Sequence, residues 1–408
     1  MYLGQVALFG FVTIWLLGES AFTQELDGDL IFDDATIFQE ISSQNGPNGP
    51  DVSATLSFAI SKLSSATTDS AGLNFVLSDR YDLGKIGFLD WSGHIKVNRS
   101  NAVSTAEPAI NKIIFQNSAG NVSWKVGKFA IGWGEIEGIP VLDVLNSGLS
   151  LGTAGTGIDE LPGQWFASAE MFAGETTLSG FIGPKPDVSH IKMSRMGGNT
   201  TEYGLRATLP TSHGQYSVYT AQLVPQSGVV DRVTLISVAR PYKMIGLSAH
   251  RAVGAALLEV DLAYKTELLR ASALDLTTHD RFDLALGVEY AISDVTQLNS
   301  SITVEHWLDQ DTNYFDTGLG GSVMASQSNA SYLISLTSSI FDGKLGLNGY
   351  YGRTMDASSQ FFTLGVEYPI SDNLNIETTY RRISASSSST LAPIDGTQSL
   401  SISAEYFF

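Results

Sequence analysis

The chain has 408 residues and no cysteine, which excludes a disulfide framework and any thiolate metal or redox site. Charged residues are scarce, at 16%. Glu and Lys are thin beside Ser, Thr and the 40 glycines, so the composition leans away from helix. Outside the N-terminus, no apolar run reaches the roughly eighteen residues a membrane-crossing helix needs. Basic residues are also short: 23 Lys and Arg stand against 42 Asp and Glu, a formal net charge of −19. With no basic stripe, no nucleic-acid partner is expected, and the acidity itself says little about fold.

Catalytic signatures are missing as well. The histidines are His94, His190, His213, His250, His279 and His306. None lies in an HExxH arrangement, and there is no G-x-S-x-G elbow, P-loop or dinucleotide fingerprint. No enzyme activity, catalytic residue, metal site or cofactor is expected.

What is present begins with Val6–Leu17, a short apolar core followed by Gly18, Glu19, Ser20 and Ala21. Its length suits a signal-peptide h-region better than a span, which predicts an exported protein with residues 1–20 removed. No Lys or Arg precedes the run, so an upstream start, or a buried strand or helix, stays open as an alternative. Residues 21–51 are acidic and end in Gly/Pro punctuation, the mark of a turn or linker. Whether this segment lies in the periplasm or plugs the lumen is open.

From Val52 to the end the pattern has a period of two. Leu56, Phe58 and Ile60 alternate with Thr55, Ser57 and Ala59; Phe282, Leu284, Leu286, Val288 and Tyr290 alternate with Arg281, Asp283, Ala285, Gly287 and Glu289. Successive strand side chains face opposite ways, so each segment has one apolar and one polar face. Many segments have the roughly nine to eleven residues of a tilted bilayer-crossing strand, longer than soluble strands. Short connections (117–120, 173–175, 292–294, 341–343, 370–373) alternate with long ones (99–107, 133–161, 185–200, 309–328, 386–396), as periplasmic turns and external loops do. The predicted fold is all-β: a transmembrane antiparallel up-and-down β-barrel over 52–408. The pass marks about nineteen candidate strands, one of them spurious between Gln215 and Lys265. An even count of about eighteen is preferred, with about sixteen as the alternative.

The last strand, Ser399–Phe408, puts Leu400, Ile402, Ala404, Tyr406 and Phe408 on one face. It resembles the C-terminal strand of Gram-negative outer-membrane barrel proteins. The resemblance implies that Tyr406 and Phe408 serve as the insertion signal read by the barrel-assembly machinery, and that outer-membrane lipid and lipopolysaccharide are partners.

If apolar faces meet lipid, the opposite faces line the lumen. These carry His94, Lys96, Lys125, Glu202, Arg206, Glu259, Asp261, Lys265, Arg281, Asp283, Glu289, Glu305, Glu377, Arg381 and Glu405. A barrel this wide leaves an aqueous channel unless something fills it. The longest connection, 133–161, carries Glu135, Glu137 and Asp143 among apolar residues that are costly to leave in water, which favours packing inside the barrel. In position it resembles the inward-folding third loop of general porins. Val126-Gly127-Lys128-Phe129, Trp133-Gly134-Glu135 and Asp143-Val144-Leu145-Asn146 resemble a motif of outer-membrane channel families, with Ser147 where proline is expected. The resemblance implies a channel of unknown ligand; its size class leaves a homotrimer open. The expected function is passive diffusion of small hydrophilic solutes and ions. In that reading an acidic constriction (Glu135, Glu137, Asp143) faces a basic wall (Lys96, Lys125, Arg206, Arg281, Arg381), with weak cation preference. A plugged barrel acting as receptor, adhesin or structural protein is the alternative.

Overall fold

The computed structural model describes residues 51–408 except 64–65, 101–102, 137–140, 143–144, 146–162, 185–194, 197–200, 226–227, 309–313, 319–320, 342, 356–358, 388 and 390. The expected signal peptide and most of the acidic segment lie outside the described residues.

Strands dominate. The wall begins with β1 (Asp51–Leu63), β2 (Ala66–Asp82), β3 (Phe88–Ser100), β4 (Val103–Ala119), β5 (Val122–Phe129), β6 (Gln164–Ala173) and β7 (Thr176–Gly183). After the short β8 (Arg195–Met196) come β9 (Glu202–Thr211) and β10 (Gly214–Leu223). The short β11 (Val229–Val230) and β12 (Ser237–Ala239) precede β13 (Tyr242–Val253), β14 (Ala256–Ser272), β15 (Leu276–Ser293) and β16 (Thr296–Trp307). A hairpin of β17 (Tyr314–Gly318) and β18 (Gly321–Met324) leads to β19 (Ser328–Ile340), β20 (Leu345–Thr354), β21 (Ser359–Ser371), β22 (Leu374–Ser384) and β23 (Gln398–Phe407).

Each wall strand pairs antiparallel with the next, and β1 closes on β23, with Ser53 opposite Phe407 and Lys62 opposite Gln398. The result is a closed barrel of eighteen strands. Closure leaves no edge in the wall, so every wall strand finds its backbone partners there. Strand pairing around Gln215–Lys265 identifies the spurious candidate: β11 and β12 pair with each other and with β8 in a separate three-stranded sheet, outside the wall.

One expected long connection is corrected. Residues 99–107 are not a loop, because Asn98 pairs with Thr105, Arg99 with Ser104 and Ser100 with Val103, leaving only 101–102 between β3 and β4. Polar residues suggested a loop there, but a hydrogen-bonded ladder continues into water as readily as through hydrocarbon when its side chains are polar. The expected loop 309–328 contains the β17–β18 hairpin, which pairs with the end of β14.

The two faces of the wall differ as the alternation requires. Phe58, Ile60, Leu205, Val218 and Ile245 point outward and are each more than half exposed. The inward positions next to them, Thr208, Ser217, Ser248, Asp261 and Asp283, are buried. Continuous exposed apolar surface around a closed sheet is stable against hydrocarbon and unstable against water. A bulge between Lys265 and Leu268, with Glu267 at φ 65°, inserts an extra residue into β14. It shifts side-chain parity, so Lys265 and Arg270 are both buried although five positions apart.

Candidate functional site

The inward faces of β7, β9, β10, β13 and β14 are built for an insert. Large side chains (Phe181, Tyr219, Met244) alternate with small ones (Gly204, Ala221, Gly246, Ala263), leaving hollows in the wall. The connection leaving β5 fills them. Trp133 packs on Phe181 and Tyr219 with ring centroids 5.2 Å away in each case. A Cβ at position 204 would come within 2.4 Å of the Trp133 ring, and one at 246 within 2.3 Å of Leu142 Cδ2. Leu142 and Leu145 are fully buried, and Val141 nearly so. The Gln164 side chain donates to the Leu145 carbonyl, returning the far end of the connection to the same cluster. Burying an aliphatic side chain contributes roughly 1.5–3 kcal/mol, so this cluster holds the segment firmly.

Polar contacts fix its position. Glu135 accepts from Arg206 Nη2 on β9 at 3.4 Å and from Gln215 Nε2 on β10 at 3.5 Å, and its other carboxylate oxygen lies 3.1 Å from His250 Nδ1 on β13. The Glu135 backbone N–H donates to Asp261 on β14, at 3.2 Å from Oδ2. One residue thus touches four consecutive strands. Gly134 allows this approach: its φ is +87°, and a Cβ there would lie 2.6 Å from the Asp261 carboxylate. Nearby, Tyr219 Oη lies 2.9 Å from Ser248 Oγ, and buried Glu202 accepts from the Val224 N–H at 2.8 Å.

A second network lies on the next strands. Asp283 meets Lys265 Nζ at 2.7 Å and Arg281 Nε at 2.7 Å, while Arg281 Nη2 meets Glu305 at 2.8 Å. Above it, the Arg270 guanidinium lies 4.3 Å from the Trp307 ring centroid and 4.4 Å from that of Tyr314, and donates to the Ser326 carbonyl at 3.2 Å. These contacts fasten the β17–β18 hairpin to β14.

Of the residues expected at a constriction, Glu135 lies against the wall; Glu137 and Asp143 lie outside the described residues. Arg206 meets Glu135. Arg281 is instead drawn into the ion-pair network with Asp283 and Glu305, because those carboxylates are its neighbours on the same and adjacent strands. Lys96 stands opposite Asn74 and Glu107, Lys125 opposite Gln116 and Ser168, and Arg381 opposite Thr363 and Ser399. Tyr406 and Phe408 are exposed, their rings 4.9 Å apart, and the Phe408 N–H donates to the Val52 carbonyl at 3.0 Å. Sequence reasoning missed His250 and Gln215. Alternation against Ile245 and Leu247 puts His250 on the inward face, but its meeting with Glu135 is a tertiary fact.

No family model matches the chain, and no curated protein matches it. Among solved structures, OccK5 (OpdH) of Pseudomonas aeruginosa is 11% identical with a TM-score of 0.55, covering 88% of this chain and 97% of its own. A BenF-like porin from Pseudomonas fluorescens Pf-5 is 11% identical, also with a TM-score of 0.55, covering 88% and 98%. Acinetobacter baumannii OccAB1 is 9% identical with a TM-score of 0.53, covering 88% and 96%. At these identities the likeness is one of fold, and this chain shares with them a closed, porin-like antiparallel barrel.

Proposed function

We propose that the protein is a channel of the Gram-negative outer membrane through which small hydrophilic solutes and ions diffuse passively, and that the connection 133–161 narrows it. The observation that carries this reading is the attachment of Trp133 and Glu135 to the inward face of β7, β9, β10, β13 and β14. A connection that crosses from its own strand to strands this far round the wall occupies part of the lumen. Inward polar and charged groups that keep part of their exposure, among them Arg206, His250 and Glu305, favour a wet interior, since a dry packed core would penalise them. One fold neighbour, Pseudomonas aeruginosa OccK2 (OpdF), is known in complex with glucuronate, which agrees with a small polar solute.

In this reading the short turns and both barrel termini face the periplasm, the long connections face outside, and export uses residues 1–20. Tyr406 and Phe408 are the features offered to the assembly machinery. Purified protein in planar bilayers is expected to give stepwise conductance, and swelling of loaded liposomes over sugars, amino acids and anions identifies the solute. Electrical silence with no swelling would leave a plugged barrel and end the channel reading.

A further inference from the structure

The outward faces of β20, β21, β22, β23 and β1 form a continuous seam that gathers three cations at one rim. Register places Leu345, Leu347, Gly349, Tyr351 and Arg353 of β20 outward, followed by the even-numbered positions of the other four strands. No outward position of these five strands carries Asp or Glu, although the chain has 42 of them against 23 Lys and Arg. The carboxylates of this seam, Glu367, Glu377 and Glu405, have the opposite parity. Three outward positions are cationic: Lys62, Arg353 and Arg382. All three are exposed and all lie at the rim away from the barrel termini, one or two residues from their strand ends.

The residues around them complete the arrangement. Lys62 and Arg382 both stand opposite Gln398, so they flank it at two strand spacings, roughly 10 Å. Arg353 stands opposite Gln360. Just below is an aromatic band: the Tyr332 and Tyr351 rings have centroids 5.7 Å apart, Tyr351 Oη donates to Gln360 Oε1 at 3.0 Å, and Phe362 and Tyr380 lie 6.5 Å apart. Aromatic residues of this kind settle at the boundary between hydrocarbon and headgroups. Cations one layer above them, facing away from the barrel, sit at the depth of lipid phosphates. On the far side of β2, Arg99 of β3 has the same parity and is also exposed.

We infer that Lys62, Arg382 and Arg353, with Gln360 and Gln398, form a binding site on the outside of the barrel for the phosphates of a glycolipid in the external leaflet. Guanidinium and ammonium groups pair with phosphate oxygens, and the two amides offer N–H donors to the sugar hydroxyls between them. The spacing suits a headgroup with more than one phosphate, because Lys62 and Arg382 can converge on one while Arg353 reaches another.

This site rests on the outer-membrane part of the proposed function and not on the channel. The test uses the full barrel in phosphatidylcholine nanodiscs, with diphosphorylated lipid A and dephosphorylated lipid A as probes. Wild type is expected to retain the diphosphorylated form selectively. Each cation near an anionic surface contributes roughly fivefold in binding, so the triple variant Lys62→Gln, Arg353→Gln, Arg382→Gln weakens retention on the order of 100-fold. Replacing Lys243, a cation of the opposite wall paired with Glu267 at 2.7 Å, leaves retention unchanged. The triple variant must still migrate as a compact, heat-modifiable barrel, and its single-channel conductance stays that of wild type. Equal retention by the triple variant, or equal retention of the dephosphorylated probe, overturns the site alone. Failure of the wild type to enter nanodiscs overturns the membrane reading with it.

Discussion

The Trp133 indole occupies the space that a side chain at position 204 would need, with an added Cβ only 2.4 Å from its ring. The inward segment and the wall strand are therefore complementary at one residue on each side. Substituting Gly204→Val is expected to expel Trp133 at a cost of about 1–3 kcal/mol, the usual range for overpacking. The barrel still forms, and single-channel conductance rises as the segment leaves its hollow; unchanged conductance with unchanged Trp133 fluorescence would count against the fit described.

Glu135 should behave as an anchor. Glu135→Gln keeps the shape but weakens the bonds from Arg206 and His250, and charge-assisted bonds of this kind contribute roughly 1.5–3 kcal/mol. More frequent open–closed transitions in bilayer recordings are expected. Arg206→Gln should give the same phenotype, and the double variant less than the sum of the two, because both remove one contact.

Asp283 holds two cations in a buried position. Asp283→Asn leaves Lys265 and Arg281 short of a counter-charge, and removing one partner of a buried pair costs about 3–5 kcal/mol. Unfolding in detergent, followed by the loss of heat-modifiable migration, should shift to lower denaturant. Adding Lys265→Met should recover part of the loss, since it removes the charge left stranded.

The acidic excess of the chain predicts weak cation preference if the lumen conducts. Reversal potentials across a KCl gradient measure it directly, and clear anion selectivity would remove this expectation.

The turn at Asp231 supplies a pH test outside the wall. Its carboxylate accepts from Thr234 Oγ1 at 2.6 Å and from the Val233 N–H at 2.9 Å, which hold its pKa below the usual range, the hydroxyl contributing most. A lowered pKa means the turn is fully stabilised above the ordinary Asp value of about 4 and loosens only as pH falls through the lower folded value. Protection of the Val233 amide against exchange should therefore be flat from neutral pH to about 4 and decline below. Loss of protection already near pH 6 would show that the carboxylate does not hold the turn.

The sequence by itself determined the barrel, because side-chain parity along a strand is a local property. Two adjacent residues are enough to say that Phe282 and Asp283 face opposite ways. The repetition of that contrast from Val52 to Phe408 gives a sheet with one apolar face, and strand length, the order of short and long connections and the last strand turn that into a barrel. The same parity placed Asp261, Arg281 and Arg206 on the inward face. It misjudged 99–107, where polar residues continue a ladder, and it could not see the bulge at Glu267 that returns Arg270 to the inside. Only the tertiary structure decided which inward groups meet. Glu135 finds Arg206 71 positions away and Asp261 126 positions away, and those meetings depend on strand order, stagger and the hollows at Gly204 and Gly246. No local pattern encodes such distances, because they are set by how the wall closes and by what the connection from β5 can fill once it has.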